Sequence, residues 1–237
     1  MLTSGAPLER ANDTMERICK SYGLHDISIF SLNSLIQLGA RNEDGEFVSR
    51  QISVAPMNIH LEKLRRYNSL SRKVCDNLPA PKTLGKMLRK AEDFKEYSPW
   101  TILAGRMIAT FSLTVIFGGS HGDVLAACMV VFVLYWLIIV FKKAKLNQII
   151  VNIICMFFCG AASSLLLRLG IGENYFIMII SCSMVMVPGI PLVNAARNLL
   201  CGNEMNGILE ILRALFETLA IVLGIVMAVF LFGGSLT

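Results

Sequence analysis

With 237 residues, a formal net charge of +5 and 54% hydrophobic residues, the chain is not a strongly basic nucleic-acid binder, and no basic stretch is interleaved with aromatics. The charges are unevenly placed: residues 1–98 hold 15 Lys/Arg and 12 Asp/Glu, whereas residues 99–237 hold 7 and 5. So few charges over the longer part suit a lipid-facing helical bundle and exclude an ordinary soluble core there.

Met1–Asn12 carries no apolar run long enough for a cleavable signal, so the first part of the chain is expected to stay in the cytoplasm. Of the 7 cysteines, Cys19 and Cys75 fall in this part, and the others fall in or beside apolar spans. No pair has CxxC spacing and none has a His at a metal-ligand interval. They read as free thiols in a reducing compartment, with no metal or other cofactor expected.

The spacing predicts a helix over Leu8–Tyr22, with Ser4 as its cap, Pro7 in its first turn and Gly23 closing it. Leu8, Ala11, Met15, Ile18, Cys19 and Tyr22 give it one apolar face. Alternating segments at Asp26–Leu32, Ser34–Gly39 and Glu46–Val54 read as strands, the last following the turn signal Asn42–Gly45 and ended by Pro56. Helices are expected over Asn58–Leu78 and Pro81–Phe94. The order predicts a small cytoplasmic α+β domain over residues 1–98. Lys63, Arg65, Arg66, Arg72 and Lys73 form a basic stretch. It reads either as a solvated face or as a contact for anionic headgroups or an anionic substrate.

Residues 99–237 are expected to be a transmembrane domain of five helices, about 100–117, 124–141, 149–167, 175–193 and 212–232. Trp100, Tyr135, Trp136 and Tyr175 are placed for headgroup-level rings. Lys142, Lys143 and Lys145 crowd one connection, while Gly118–Asp123 has no Lys or Arg. The positive-inside rule then puts the N-terminus in the cytoplasm and the C-terminus outside. The ending Phe232-Gly-Gly-Ser235 echoes Phe117-Gly-Gly-Ser120 only in having small residues at a membrane edge.

Four places in or beside these spans carry candidate transport chemistry. Pro188, Gly189 and Pro191 interrupt the fourth span, with Asn194, Arg197 and Asn198 beyond. Each proline removes a backbone donor and frees a carbonyl one turn upstream, and such breaks bind substrate in secondary transporters. A span that simply ends here fits equally well. Glu217, with Arg213 four residues before it, reads as a proton-coupling carboxylate or as an interfacial ion pair. His121 and Asp123 read as a proton-carrying pair or as helix-capping residues. Arg106 in the first span reads as a snorkelling cation ahead of a substrate ligand.

Ser4-Gly-Ala6, Tyr22-Gly23, Phe117-Gly-Gly-Ser-His-Gly-Asp123 and above all Val187-Pro-Gly-Ile-Pro-Leu-Val-Asn194-Ala-Ala-Arg197-Asn-Leu-Leu-Cys-Gly202-Asn203 resemble the threonine/serine exporter (ThrE) family. The resemblance covers nearly the whole chain and implies export of small metabolites rather than an enzyme. Fused members continue into a second group of spans. This chain is more similar to the larger subunit of split pairs such as the bacterial two-subunit succinate exporter. That implies an inner-membrane secondary transporter for threonine, serine or a dicarboxylate, driven by the proton gradient. No GxxxxGK[ST] loop occurs that would bind ATP. Its expected partners are a second small multi-span subunit, the small-molecule substrate, the lipid bilayer and copies of itself in a homo-oligomer, with no nucleic acid. The alternative is a membrane-anchored sensor whose residues 1–98 bind a metabolite.

Overall fold

The computed structural model describes residues 1–32, 34–42, 44–54, 59–93, 97–144 and 146–232. The expectations at Pro56, Asn58, Phe94, Lys145 and Gly233-Gly-Ser235 lie outside the described residues. The chain divides into two compact units, one of residues 1–96 with 190–211, the other of 97–189 with 212–237. The segment expected to close the fourth span and lead into the fifth thus belongs with the N-terminal part.

The first unit opens with a 3-10 turn over Leu2–Ser4, then helix α1, Leu8–Ser21. Gly23, at φ 77, ends α1: its N–H donates to the Lys20 carbonyl and that of Leu24 to the Cys19 carbonyl. This left-handed closure carries no penalty at glycine. Ser4 does not cap α1, whose first position follows Pro7 without a side-chain cap. Ser4 is buried instead, and its carbonyl accepts from the His60 N–H at 3.1 Å, tying the start of the chain to the entry of a later helix.

Strands β1, His25–Leu32, β2, Leu35–Arg41, and β3, Phe47–Ser53, form an antiparallel sheet in that order. The Asn42–Gly45 turn forms as its residues predict. The Asn42 side-chain oxygen accepts from the Glu46 N–H at 2.8 Å, and Gly45 takes φ 82. Helices α2, Leu61–Asn77, and α3, Pro81–Glu92, follow, with Pro81 in the first turn of α3, where no donor is lost. They share a small core of Leu70, Val74 and Ala91, against which Ile18, Tyr22, Tyr67, Leu84 and Met87 pack.

The second unit holds α4, Pro99–Ile116, α5, His121–Lys143, α6, Gln148–Arg168, and α7, Tyr175–Met184. It also holds most of the last helix, α9, Glu204–Phe232, whose residues up to Ile211 belong to the first unit. Its core is Ala127, Val130, Val131, Leu134, Ile138, Val151, Cys155, Met156, Cys159, Cys182 and Ile221. Small residues bring α6 and α9 together: a Cβ at Gly224 would lie 2.9 Å from the Met156 Cβ and 3.0 Å from the Phe157 nitrogen. Close backbone approach of this kind is how apolar helices associate where lipid supplies no hydrophobic drive.

Among the described residues, four helices (α4, α5, α6 and α9) are long and apolar enough to cross a membrane. The expected fourth span is a bent pair: α7 stops at Met184, and helix α8 runs from Gly189 to Leu200. Counted as one span, the pair makes five. At 10 residues α7 is only about 15 Å long, half a hydrocarbon core. Two of the aromatics expected at headgroup level are buried instead. The Tyr135 hydroxyl donates to the Pro99 carbonyl at 2.8 Å and the Tyr175 hydroxyl to the Gly160 carbonyl at 3.3 Å. The Tyr135 ring also faces the Arg106 guanidinium, 5.5 Å away.

Candidate functional site

The interruption at Pro188 starts a helix rather than ending one. Gly189 is the first residue of α8 and Pro191 sits in its first turn, where backbone N–H groups have no intrahelical partner. Pro191 therefore frees no carbonyl, contrary to the sequence expectation. Pro188 does interrupt: the preceding turn is held by N–H bonds from Met186 and Val187 to the Ser183 carbonyl, and α8 begins anew after it.

Once α8 is a helix, Asn194 and Asn198, four apart, share one face, and both are buried. Arg197 is exposed. Gly202, at φ 77, turns the chain, and α9 begins at Glu204, well before residue 212, where the last apolar span was expected. The two helices approach closely at Gly207, where a Cβ would meet the Leu199 side chain at 2.7 Å and the Ala195 carbonyl at 3.1 Å. That contact lets two polar side chains meet inside the hairpin. The Asn198 Nδ2 donates to the Glu210 carboxylate at 3.1 Å, with Asn198 2% and Glu210 8% exposed.

Two further polar links join this hairpin to the start of the chain, within the same unit. The Asn206 amide donates to the Ser31 carbonyl at 3.0 Å, and the Ser31 hydroxyl donates to the Asn12 side-chain oxygen at 2.7 Å. The Glu9 carboxylate accepts from the Arg197 guanidinium at 3.4 Å and from the Cys201 thiol at 3.1 Å. The Cys201 and Arg197 hydrogen bonds hold the Glu9 carboxyl below its ordinary range, and the same carboxylate pushes the Cys201 thiol up. A buried carboxylate beside amide donors can hold an ammonium or a proton; Arg197 can offer a guanidinium to a carboxylate.

Glu217, Asp123 and His121 belong to the other unit. Arg213 and Glu217 form the expected pair, Nε to Oε1 at 3.1 Å, and the Glu217 carbonyl accepts from the Asn152 amide at 3.3 Å. Asp123 caps α5. Its Oδ2 accepts from the Ser120 N–H at 2.9 Å, and its Oδ1 from the N–H groups of Glu173 at 2.7 Å and Asn174 at 2.8 Å. With the Ser120 hydroxyl accepting from the Asp123 N–H, this is a complete capping box that also braces the α6–α7 connection. No hydrogen bond joins His121 to Asp123 among the described residues, and among those residues no group of three His, Cys, Asp or Glu is placed to hold a metal.

Glu210 escaped the sequence reading because it lies just outside the apolar window 212–232. The usable signal was the Asn206…Glu210 spacing of four, which puts both on one helical face once the helix is extended backwards. The threonine/serine exporter model, ThrE, matches residues 1–232. No curated protein and no solved structure matches the chain.

Proposed function

The chain belongs to the threonine/serine exporter (ThrE) family, and from that premise we propose that it is the larger subunit of a two-subunit secondary exporter in a bacterial inner membrane. It is a multi-pass membrane protein of a transporter family, with four or five candidate spans among the described residues. The observation that carries the proposal is the buried Asn198–Glu210 pair beside Asn194.

A carboxylate in that setting suits the ammonium of a hydroxy amino acid and repels a dianion, so threonine and serine are favoured over succinate. In this reading Glu210 takes the substrate ammonium or, between cycles, a proton from the gradient. The amides of Asn194 and Asn198 address the hydroxyl and carboxylate, and Arg197 leaves Glu9 to receive the carboxylate. Pro188, Gly189 and Pro191 set where α8 begins and therefore which residues face the site. Glu217, His121 and Asp123 stay as secondary candidates for proton transfer. The partner is a second small multi-span subunit, and the N-terminal part faces the cytoplasm.

Export of labelled threonine, serine and succinate is to be measured from cells carrying this chain with and without the proposed small multi-span partner. Threonine and serine export only with both, lost in Glu210→Gln and Asn198→Ala at unchanged membrane levels, is the expected result. Full export by this chain alone would remove the two-subunit reading. Succinate export insensitive to Glu210→Gln would remove the site.

A further inference from the structure

The function proposed above makes no use of the basic stretch on α2. Three of its residues, Arg65, Arg66 and Lys73, line a recess of the surface. Arg66, Leu70 and Lys73 fall at intervals of four and three on one face of α2, and Lys90 comes to the same place from α3. Between the two helices lies a recess of about 410 Å³, lined by Arg65, Arg66, Ser69, Lys73 and Lys90 together with the buried Leu70. Four of the lining residues are cationic and none is acidic.

The two arginines share one carboxylate from the preceding turn. Glu62 accepts from Arg65 at 2.8 Å and from Arg66 at 3.3 Å, and the Arg65 hydrogen bond, with that of Arg66, draws its carboxyl down to about 2. That carboxylate holds the guanidiniums in place and is not among the residues lining the recess. Lys73 and Lys90 make no ion pair among the described residues. Cations on an ordinary solvated face diverge to reduce their repulsion. Here two helices bring four cations around one recess whose lining also holds the apolar Leu70, Met87 and Ala91, and their summed field favours an anion there. A volume of this size takes a small molecule rather than a single ion.

We propose that the recess between α2 and α3 is a binding site for a phosphate-bearing anion. Arg65 and Arg66 supply forked donors, Lys73 and Lys90 supply point charges, and the Ser69 hydroxyl supplies a neutral donor. The phosphate comes either from a soluble phosphorylated metabolite or from a phospholipid headgroup, and the two sources separate by experiment. The site is independent of which substrate the α8–α9 hairpin carries.

The test uses the full chain in neutral detergent. Its melting temperature is titrated with pyrophosphate against sodium chloride of equal ionic strength, then measured in phosphatidylcholine nanodiscs with and without phosphatidylglycerol. The same series is run on K73Q/K90Q. A saturable rise with pyrophosphate, with its midpoint moved about tenfold or more in the double variant, establishes the soluble source. A rise with phosphatidylglycerol alone, again lost in K73Q/K90Q, establishes the lipid source. No rise sensitive to the variant in either medium overturns the site. Should the variant fail to fold, acetylation of Lys73 and Lys90 in the wild-type chain decides. Protection by pyrophosphate or by anionic lipid supports the site, and equal labelling in all conditions overturns it.

Discussion

Asn198→Ala removes the amide donor that meets the Glu210 carboxylate at 3.1 Å in a place where Asn198 is 2% and Glu210 8% exposed. A hydrogen bond to a charged group in such a site is worth about 1.5–3 kcal/mol. For a chain of this length that corresponds to a fall of roughly 3–12 °C in melting temperature. The clean measurement is a double-mutant cycle with Glu210→Gln, followed by thermal melting of the purified chain in detergent. In the Glu210→Gln background the remaining bond is between neutral amides, so Asn198→Ala should cost about 1 kcal/mol less than in the wild type. Equal losses in both backgrounds would mean that the Glu210 carboxylate charge does not strengthen its bond to Asn198, and the α8–α9 pair would no longer support a site.

The α6–α9 contact makes a second prediction. Gly224→Ala puts a methyl 2.5 Å from the Ile153 carbonyl and should cost about 1–3 kcal/mol and lower detergent-extracted yield, whereas Gly105→Ala, with open space around it, should not. At the start of α5, Asp123→Ala should lower the melting temperature by the equivalent of about 2 kcal/mol, because Ser120, Glu173 and Asn174 lose their acceptor. Asp123→Asn, which keeps one acceptor oxygen, should recover part of that loss, and a fall in export without a fall in stability would support a proton-carrying role. At the Glu9 carboxylate, Glu9→Gln removes the charge that raises the Cys201 thiol, so Cys201 holds more thiolate at pH 8 and reacts faster with iodoacetamide. An unchanged alkylation rate would show that the Glu9–Cys201 hydrogen bond does not form in solution.

Local patterns in the sequence were enough for most of the elements and for the family. Gly23 and Gly45 need positive φ, and that requirement alone locates the end of α1 and the β2–β3 turn. Apolar runs of membrane length locate α4, α5 and α6 to within a few residues, because a lipid environment demands the same composition whatever the packing. The Pro-Gly-Ile-Pro stretch is a family signature, yet its structural meaning was open. A proline either breaks a helix or sits in the first turn of one, and only the register of α8 shows that Pro191 falls in its first turn. Tertiary structure alone decides the polar network. Asn206 finds Ser31 across 175 residues, Arg197 finds Glu9 across 188, and Glu210 acquires its importance from burial against Asn198. A hydropathy window averages along the chain and cannot register partners so far apart, and it discards a carboxylate at its own edge. Burial and partnership are properties of the folded neighbourhood, so Glu210 became a candidate only when α8 and α9 were brought face to face.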